Sequence, residues 1–328
     1  MKGKKRGMAA ALVLLAMTVG MLCGCGNKKE EGVYYVAIVQ QMDHISLDEI
    51  RVAIETELAV RAEQEGITIV CEKFNGQNDA TILNQIGAEV VSEEYDAVIP
   101  IATLAAQCMA TATEGTELPV IYAAISDPET AGLTGLSNVT GTSDALNTSY
   151  ILDLMFAVNP EIQSVGLLYS NSEPNSRVPI ADAKAYLEAK RISYVDKTGN
   201  TTDEILAAAN SLVGEVQAVF TPTDNVVMGA AGAVAEVLNA AGIPHYTGAD
   251  SFVKSGAFAT SGVNYTELGT YTADMAVELL LGGAVPEYHV REGGIITVNQ
   301  ETAEQLKLDY QVFSTLAGKV VEVKTGEE

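Results

Sequence analysis

The sequence predicts an α/β protein built as two similar Rossmann-like lobes, each with a parallel sheet, facing each other across a cleft with a hinge. Three observations predict it. Short apolar runs alternate with helical stretches along the whole body, which is the pattern of parallel sheets covered by helices on both faces. The second half repeats the first. The chain also has 328 residues, enough for two compact domains.

The alternation starts with "VYYVAIVQ" (33–40), an apolar run of strand length. Ser46 with Glu49 three residues on reads as a capping box, Ile50, Ile54 and Leu58 recur every four residues, and Gly66 closes that helix. Then come the strand "ITIVCEKF", a helix after Asn78, the strand "DAVIPI", the helix "TLAAQCMATAT" and the strand "LPVIYAAI". The second half gives "SVGLLYS", a helix from Val178, "ISYVDK", a helix from Thr202, "QAVFTP", a helix from Asp224 and "IPHYTG". "YDAVIPIATLAAQ" (95–107) lines up with "VQAVFTPTDNVVM" (216–228), and "LPVIYAAISDPETAGL" (118–133) with "IPHYTGADSFVKSGAF" (243–258). A single duplication with so steady an offset means two lobes and not a solenoid. The chain is expected to cross between lobes near 139–147, near 259–265 and near 295–299. Lobe 1 is then 33–142 plus 263–297, and lobe 2 is 143–262 plus 298–328.

The first residues read as a secretory signal, basic "MKGKKRG" followed by apolar "MAAALVLLAMTVGML" and ended at "LCGC". Residues 1–24 are expected to be removed. Cys25 follows a small residue and resembles a lipidation site, with 25–32 as a tether. The formal charge is −24, and loss of Lys2, Lys4, Lys5 and Arg6 takes the mature chain near −28. Such a charge argues against nucleic acid or anionic lipid surfaces as partners. Cys71 and Cys108 sit in apolar runs and read as small core residues.

In open parallel sheets, ligands bind beyond the carboxyl ends of the strands. The positions that follow strands are Gln40 to His44, Thr103, Ser126 and Asp127, the "NSEPNS" loop with Ser172, Asn175 and Ser176, then Thr223, Asp224 and Asn225, and finally Asp250 and Ser251. Only three histidines exist, with no metal-ligand spacing. There is no nucleophile elbow, Walker loop or dinucleotide fingerprint. No cofactor is expected, and the chain reads as a binder and not an enzyme. Acids recur at Asp127, Asp224 and Asp250, while Lys and Arg are absent from these loops. A ligand held there should carry a cation such as an α-ammonium. Hydroxyls and helix N-termini, with Thr103 and the 171–176 loop as candidates, would meet a carboxylate. Each position also has a plainer reading: Asp224 and Thr103 as helix caps, Asp127 and Asp250 as turn residues, His44 as a surface group, Tyr122 and Tyr246 as core. In the stretch 218–232, Thr223 and Asn225 are expected to set the turn while Asp224 points into the cleft.

"HISLDEIRVAI" (44–54), "IATLAAQ" (101–107), "AAISDPETAGL" (123–133), "NVTGTSD" (138–144), "LYSNSEPNS" (168–176), "TPTDN" (221–225), "GADSFVKSGAFAT" (248–260) and "YTELG" (265–269) follow one another in order. This ordered set resembles the substrate-binding lipoproteins of bacterial ABC transporters, the family that includes tryptophan and tyrosine binders. The resemblance runs from about Val33 to about Lys307. It implies the type I periplasmic-binding-protein fold, closing on its ligand by hinge motion. It also implies an aromatic amino acid as ligand, a membrane permease with its ATPase as partners, and a chain that is monomeric and lipid-anchored outside the cell membrane. Under it, Asp127, Asp224 and Asp250 include the ammonium partner, Thr103, Ser172 and Asn175 hold the carboxylate, and His44, Tyr122 or Tyr246 line the side-chain pocket. "VQQMDHIS" departs from the family's common His-Pro form. The alternatives are a sugar or nucleoside in the same fold, or a sensor subunit.

Overall fold

In the computed structural model, residues 30–291, 293–317 and 319–326 are described, and the body from Tyr34 onward forms one compact unit. The signal peptide and Cys25 lie outside the described residues.

The first lobe begins with β1 (Val33–Gln40), α1 (Ile45–Glu65), β2 (Thr68–Asn75), α2 (Ala80–Ser92), β3 (Ala97–Ile101), α3 (Thr103–Ala112), β4 (Val120–Tyr122) and β5 (Val139–Ser143). The second lobe follows with α4 (Thr148–Val158), β6 (Ser164–Tyr169), α5 (Arg177–Lys190), β7 (Ser193–Thr198), α6 (Thr202–Leu212), β8 (Ala218–Thr221), α7 (Asn225–Met228), α8 (Ala231–Ala240), β9 (His245–Thr247), α9 (Asp250–Lys254) and β10 (Ala259–Gly262). The chain returns to the first lobe for α10 (Tyr265–Leu280) and β11 (His289–Val290). It ends in the second with β12 (Ile295–Asn299), α11 (Gln300–Leu306), α12 (Phe313–Leu316) and β13 (Val320–Val323).

The two sheets run β11-β5-β4-β3-β1-β2 and β13-β12-β10-β9-β8-β6-β7. The orders β2-β1-β3-β4-β5 and β7-β6-β8-β9-β10 are the same, so the repeat seen in sequence is a repeat of topology. β3 and β8 hold equivalent places, as do β4 and β9. β10 and β12 pair antiparallel, while β1–β3, β3–β4, β4–β5, β5–β11, β6–β7, β6–β8, β8–β9, β9–β10 and β12–β13 are parallel. Because β12 pairs with β10 and β13 in the second sheet, residues 295–297 belong there and not in lobe 1.

Period-two burial explains why β1 is apolar throughout. Val36 and Ile38 pack with α1 and α10, while Ala37 and Val39 pack with α2 and α3. In the second lobe Val165, Leu167 and Phe220 face α4 and α5, while Leu168 and Val219 face α6 and α8. Side chains cap the start of half of these helices. Asp79 accepts from Thr81 N at 2.6 Å, Thr201 from Glu204 N at 3.2 Å and Asn264 from Glu267 N at 3.0 Å.

The capping box expected at Ser46 is not formed. α1 starts one residue earlier, behind His44, which makes no side-chain cap bond. Ser46 Oγ instead meets Ser251 Oγ of the second lobe at 2.5 Å, and Glu49 accepts from Thr266 Oγ1 at 2.8 Å. Both residues expected to serve the helix serve tertiary contacts.

Candidate functional site

The strand ends of the two sheets face each other across a cavity. Its polar wall includes His44, Thr103, Ser126, Asp144, Asn175 and Tyr265, and its apolar wall Leu47, Ala102, Ala124, Met228, Ala249 and Phe252. The atom-free space between these residues, its open mouth included, is about 360 Å³. Ala102 and Ala124 line it with φ of +76° and +59°, left-handed values that a residue with a Cβ seldom adopts. Strain of this kind at two neighbouring strand ends is what a shaped binding surface looks like.

Hydrogen bonds close the cleft from lobe to lobe. Gln41 Nε2 donates to Glu173 Oε1 at 2.9 Å, His44 Nε2 meets Asn225 Oδ1 at 3.0 Å, and Ser126 Oγ meets Thr223 Oγ1 at 3.1 Å. Asn225 Nδ2 donates to Glu173 Oε2 at 2.6 Å, which leaves its Oδ1 as acceptor. The proton of His44 is thereby assigned to Nε2. Burial lowers the pKa of His44, so the ring is neutral, and its buried Nδ1 is an acceptor with no partner.

Asp144 decides what the cavity can hold. It follows β5, at the first crossing between lobes, and is 3 % exposed. Its Oδ1 accepts from Ser126 Oγ at 3.0 Å and its Oδ2 from Tyr265 OH at 3.1 Å, the tyrosine standing at the second crossing. Neither partner is charged. Burial raises the Asp144 pKa, and these hydrogen bonds offset part of that rise. Among the described residues no cationic side chain reaches Asp144, so a cation entering the cavity would find a buried acid without a charged partner. Neither Asp144 nor Tyr265 was among the candidates from sequence. Both lie in segments recognised as lobe crossings, and the hinge reading hid the chemical one.

The three acids expected from sequence have other partners. Asp224 is fully buried and lines the cavity, but its Oδ2 accepts from Ser170 N at 2.7 Å and Ser176 Oγ at 2.6 Å, and its Oδ1 from Val227 N at 3.0 Å. It builds the loop. Thr223 and Asn225, expected to set the turn, reach across to the first lobe, so the roles within this cluster are exchanged. Asp127 caps its own turn, accepting from Thr130 N at 2.9 Å and Thr130 Oγ1 at 2.7 Å. Asp250 pairs with Lys254 at 3.2 Å and is not part of the cavity wall.

Other expected positions also lie elsewhere. Tyr122 and Tyr246 are 0 % exposed, inside the cores of the first and second lobes, and Tyr246 packs edge-on against Phe258. Gln40 points back to the β1–α1 loop, donating to Met42 O at 2.7 Å and accepting from Arg51 Nε at 3.1 Å. Ser172 is exposed and its Oγ meets Ser170 Oγ at 2.7 Å. Asn175 lines the cavity; one N–H of its Nδ2 donates to Thr223 O at 2.6 Å, and its buried Oδ1 is an acceptor without a partner. A ligand carboxylate is left with Thr103 and the first turn of α3, in which Leu104 N already donates to Gln41 Oε1 at 3.0 Å.

Residues 35–321 match the family described as ABC transporter substrate binding protein. The chain belongs to the ABC transporter substrate-binding protein family. This substrate-binding protein is 30% identical over 325 residues, 93% of each chain, to the tyrosine-binding protein of Clostridioides difficile (strain R20291). It superposes with a TM-score of 0.81 on the domain from Streptococcus pneumonia in complex with L-Trp, at 29% identity and covering 88% of this chain and 99% of that one. Against the ligand-free, open structure of a Clostridium difficile substrate-binding protein with adhesive properties the TM-score is 0.66, again at 29% identity, covering 89% and 99%. Family membership also makes it an extracytoplasmic component of its transporter. Among the described residues no helix is long and apolar enough to cross a membrane.

Glu173 gives this substrate-binding protein a pH dependence. It is 2 % exposed, and burial followed by the charge of Asp224 raises its pKa from 4.5 to about 8. Between those values the folded chain holds a proton that the unfolded chain has released, so stability falls as pH rises through that window. Below about pH 6.5 the buried His44 and His245, whose pKa values burial lowers, pull stability the other way, so the melting temperature is expected to decline from about pH 6.5 to pH 8, and Glu173→Gln to flatten that decline. Thermal scans across that range check it, and an unchanged slope in the variant would place the titration elsewhere.

Proposed function

We propose that this substrate-binding protein captures an aromatic amino acid between its lobes and delivers it to the permease and ATPase of an importer, working as a monomer held to the membrane by lipid on Cys25. The buried, cation-free carboxylate of Asp144 carries the reading. An α-ammonium placed there turns a desolvated lone charge into a charge-assisted pair. Thr103 and the first turn of α3 take the α-carboxylate, where the helix dipole favours an anion. Leu47, Met228 and Phe252 offer an apolar wall to a ring, and His44 Nδ1 accepts a hydrogen bond from a polar group at its edge. The likeness to a tyrosine-binding protein and to a domain in complex with L-Trp supports the aromatic choice. The binding step changes no covalent bond and needs no cofactor.

A thermal-shift panel tests the proposal. L-Tyrosine, L-tryptophan and L-phenylalanine are expected to stabilise the protein by ~2.7 kcal/mol when present at ~100 times their dissociation constants. Sugars and nucleosides are expected to leave the melting temperature unchanged. A response confined to sugars or nucleosides would overturn the reading.

A further inference from the structure

The cavity does not end at Thr103 and Asn175. The same two residues wall a second chamber between the lobes, lined on its far side by Asp127, Thr130 and Arg177. It is the roomier of the two, with about 570 Å³ of atom-free space against about 360 Å³ in the inner chamber. Its polar groups are unevenly satisfied. Asp127 is committed to Thr130 through both carboxylate oxygens. The exposed side chain of Arg177 lines the chamber with no hydrogen bond or ion pair among the described residues, so its guanidinium is available to an anion. At the junction Asn175 is 8 % exposed, its Nδ2 bound to Thr223 O and its Oδ1 an acceptor without a donor.

A free amino acid answers neither group. Its carboxylate at Thr103 brings no N–H to Asn175 and does not extend to Arg177. We propose that the cleft also accepts a dipeptide with an aromatic first residue, extended through the junction into the outer chamber. This inference rests on the amino-acid reading of the inner chamber. The ammonium takes Asp144 as before, the peptide carbonyl replaces the carboxylate at Thr103, the peptide N–H donates to Asn175 Oδ1, and the terminal carboxylate meets the guanidinium of Arg177. That satisfies a buried acceptor and an unpaired cation with one molecule.

The test is calorimetric titration of the full chain and of Arg177→Gln with L-tyrosine, L-tyrosyl-glycine and L-tyrosyl-glycinamide, which lacks the terminal carboxylate. The proposal expects tyrosyl-glycine to bind the native chain, and to bind Arg177→Gln roughly tenfold more weakly. The glycinamide should be weaker on the native chain by a similar factor and insensitive to the substitution, and tyrosine should bind both proteins alike. Binding of tyrosine without binding of tyrosyl-glycine overturns this inference while leaving the amino-acid site standing. So does tyrosyl-glycine affinity that ignores Arg177. Failure of tyrosine and the dipeptide alike would remove the inner site on which both readings depend.

Discussion

Asp144→Asn is expected to weaken binding of an aromatic amino acid by roughly 30- to 4000-fold. Truncating one partner of a buried hydrogen-bonded charge pair costs about 2–5 kcal/mol, and each 1.4 kcal/mol is a factor of about ten in affinity. The substitution keeps the shape of the side chain. Asparagine Oδ1 still accepts from Ser126, and its Nδ2 can donate to the hydroxyl oxygen of Tyr265. Stability of the ligand-free chain should hold or rise, because the native carboxylate has no cation and its burial is unfavourable. Loss of affinity with an unchanged or higher melting temperature, measured by calorimetry on the same preparation, is the signature of a ligand-facing charge.

Asp224→Ala is expected to do the opposite. It removes the acceptor for Ser170 N, Ser176 Oγ and Val227 N at once, in a site with no exposure. A buried donor left without a partner costs about 1–3 kcal/mol, so the loss should reach about 3 kcal/mol or more. At roughly 2–4 °C per kcal/mol for a chain approaching this size, the melting temperature should fall by roughly 6–12 °C. Affinity should suffer less than in Asp144→Asn once measured well below that temperature. A variant as stable as the native chain but unable to bind would give Asp224 the role assigned here to Asp144.

The contrast between these two acids shows what was legible in the sequence. Alternation and duplication are local and repetitive signals, and they yielded the two lobes, the order of strands and the loops that meet. β1 could be read residue by residue because a strand buried on both faces is apolar throughout. Whether an acid faces a ligand depends on what else reaches it. The partners of Asp224 come from 54, 48 and 3 positions away, and only the last is visible as a cap in sequence. Asp144 gave the reverse error, since a segment understood as a hinge was not searched for chemistry. Tyr122 and Tyr246 stand inside strand runs and lie in the cores of their lobes, a consequence of side-chain alternation that shifts with a single residue of register. The crossing near residue 295 was misplaced because an antiparallel strand added to a parallel sheet carries no pattern of its own.

The central claim is that Asp144 meets the ammonium group of an aromatic amino acid, and a four-way calorimetric cycle tests it most directly. L-Tyrosine and its deaminated analogue, 3-(4-hydroxyphenyl)propionate, are titrated into the native protein and into Asp144→Asn. If the pair exists, removing the ammonium or the carboxylate each weakens binding strongly, and removing both weakens it far less than the two losses combined. If the analogue binds the native protein as tightly as tyrosine does, or if the two losses simply add, Asp144 does not hold the ammonium and the account of the site is wrong.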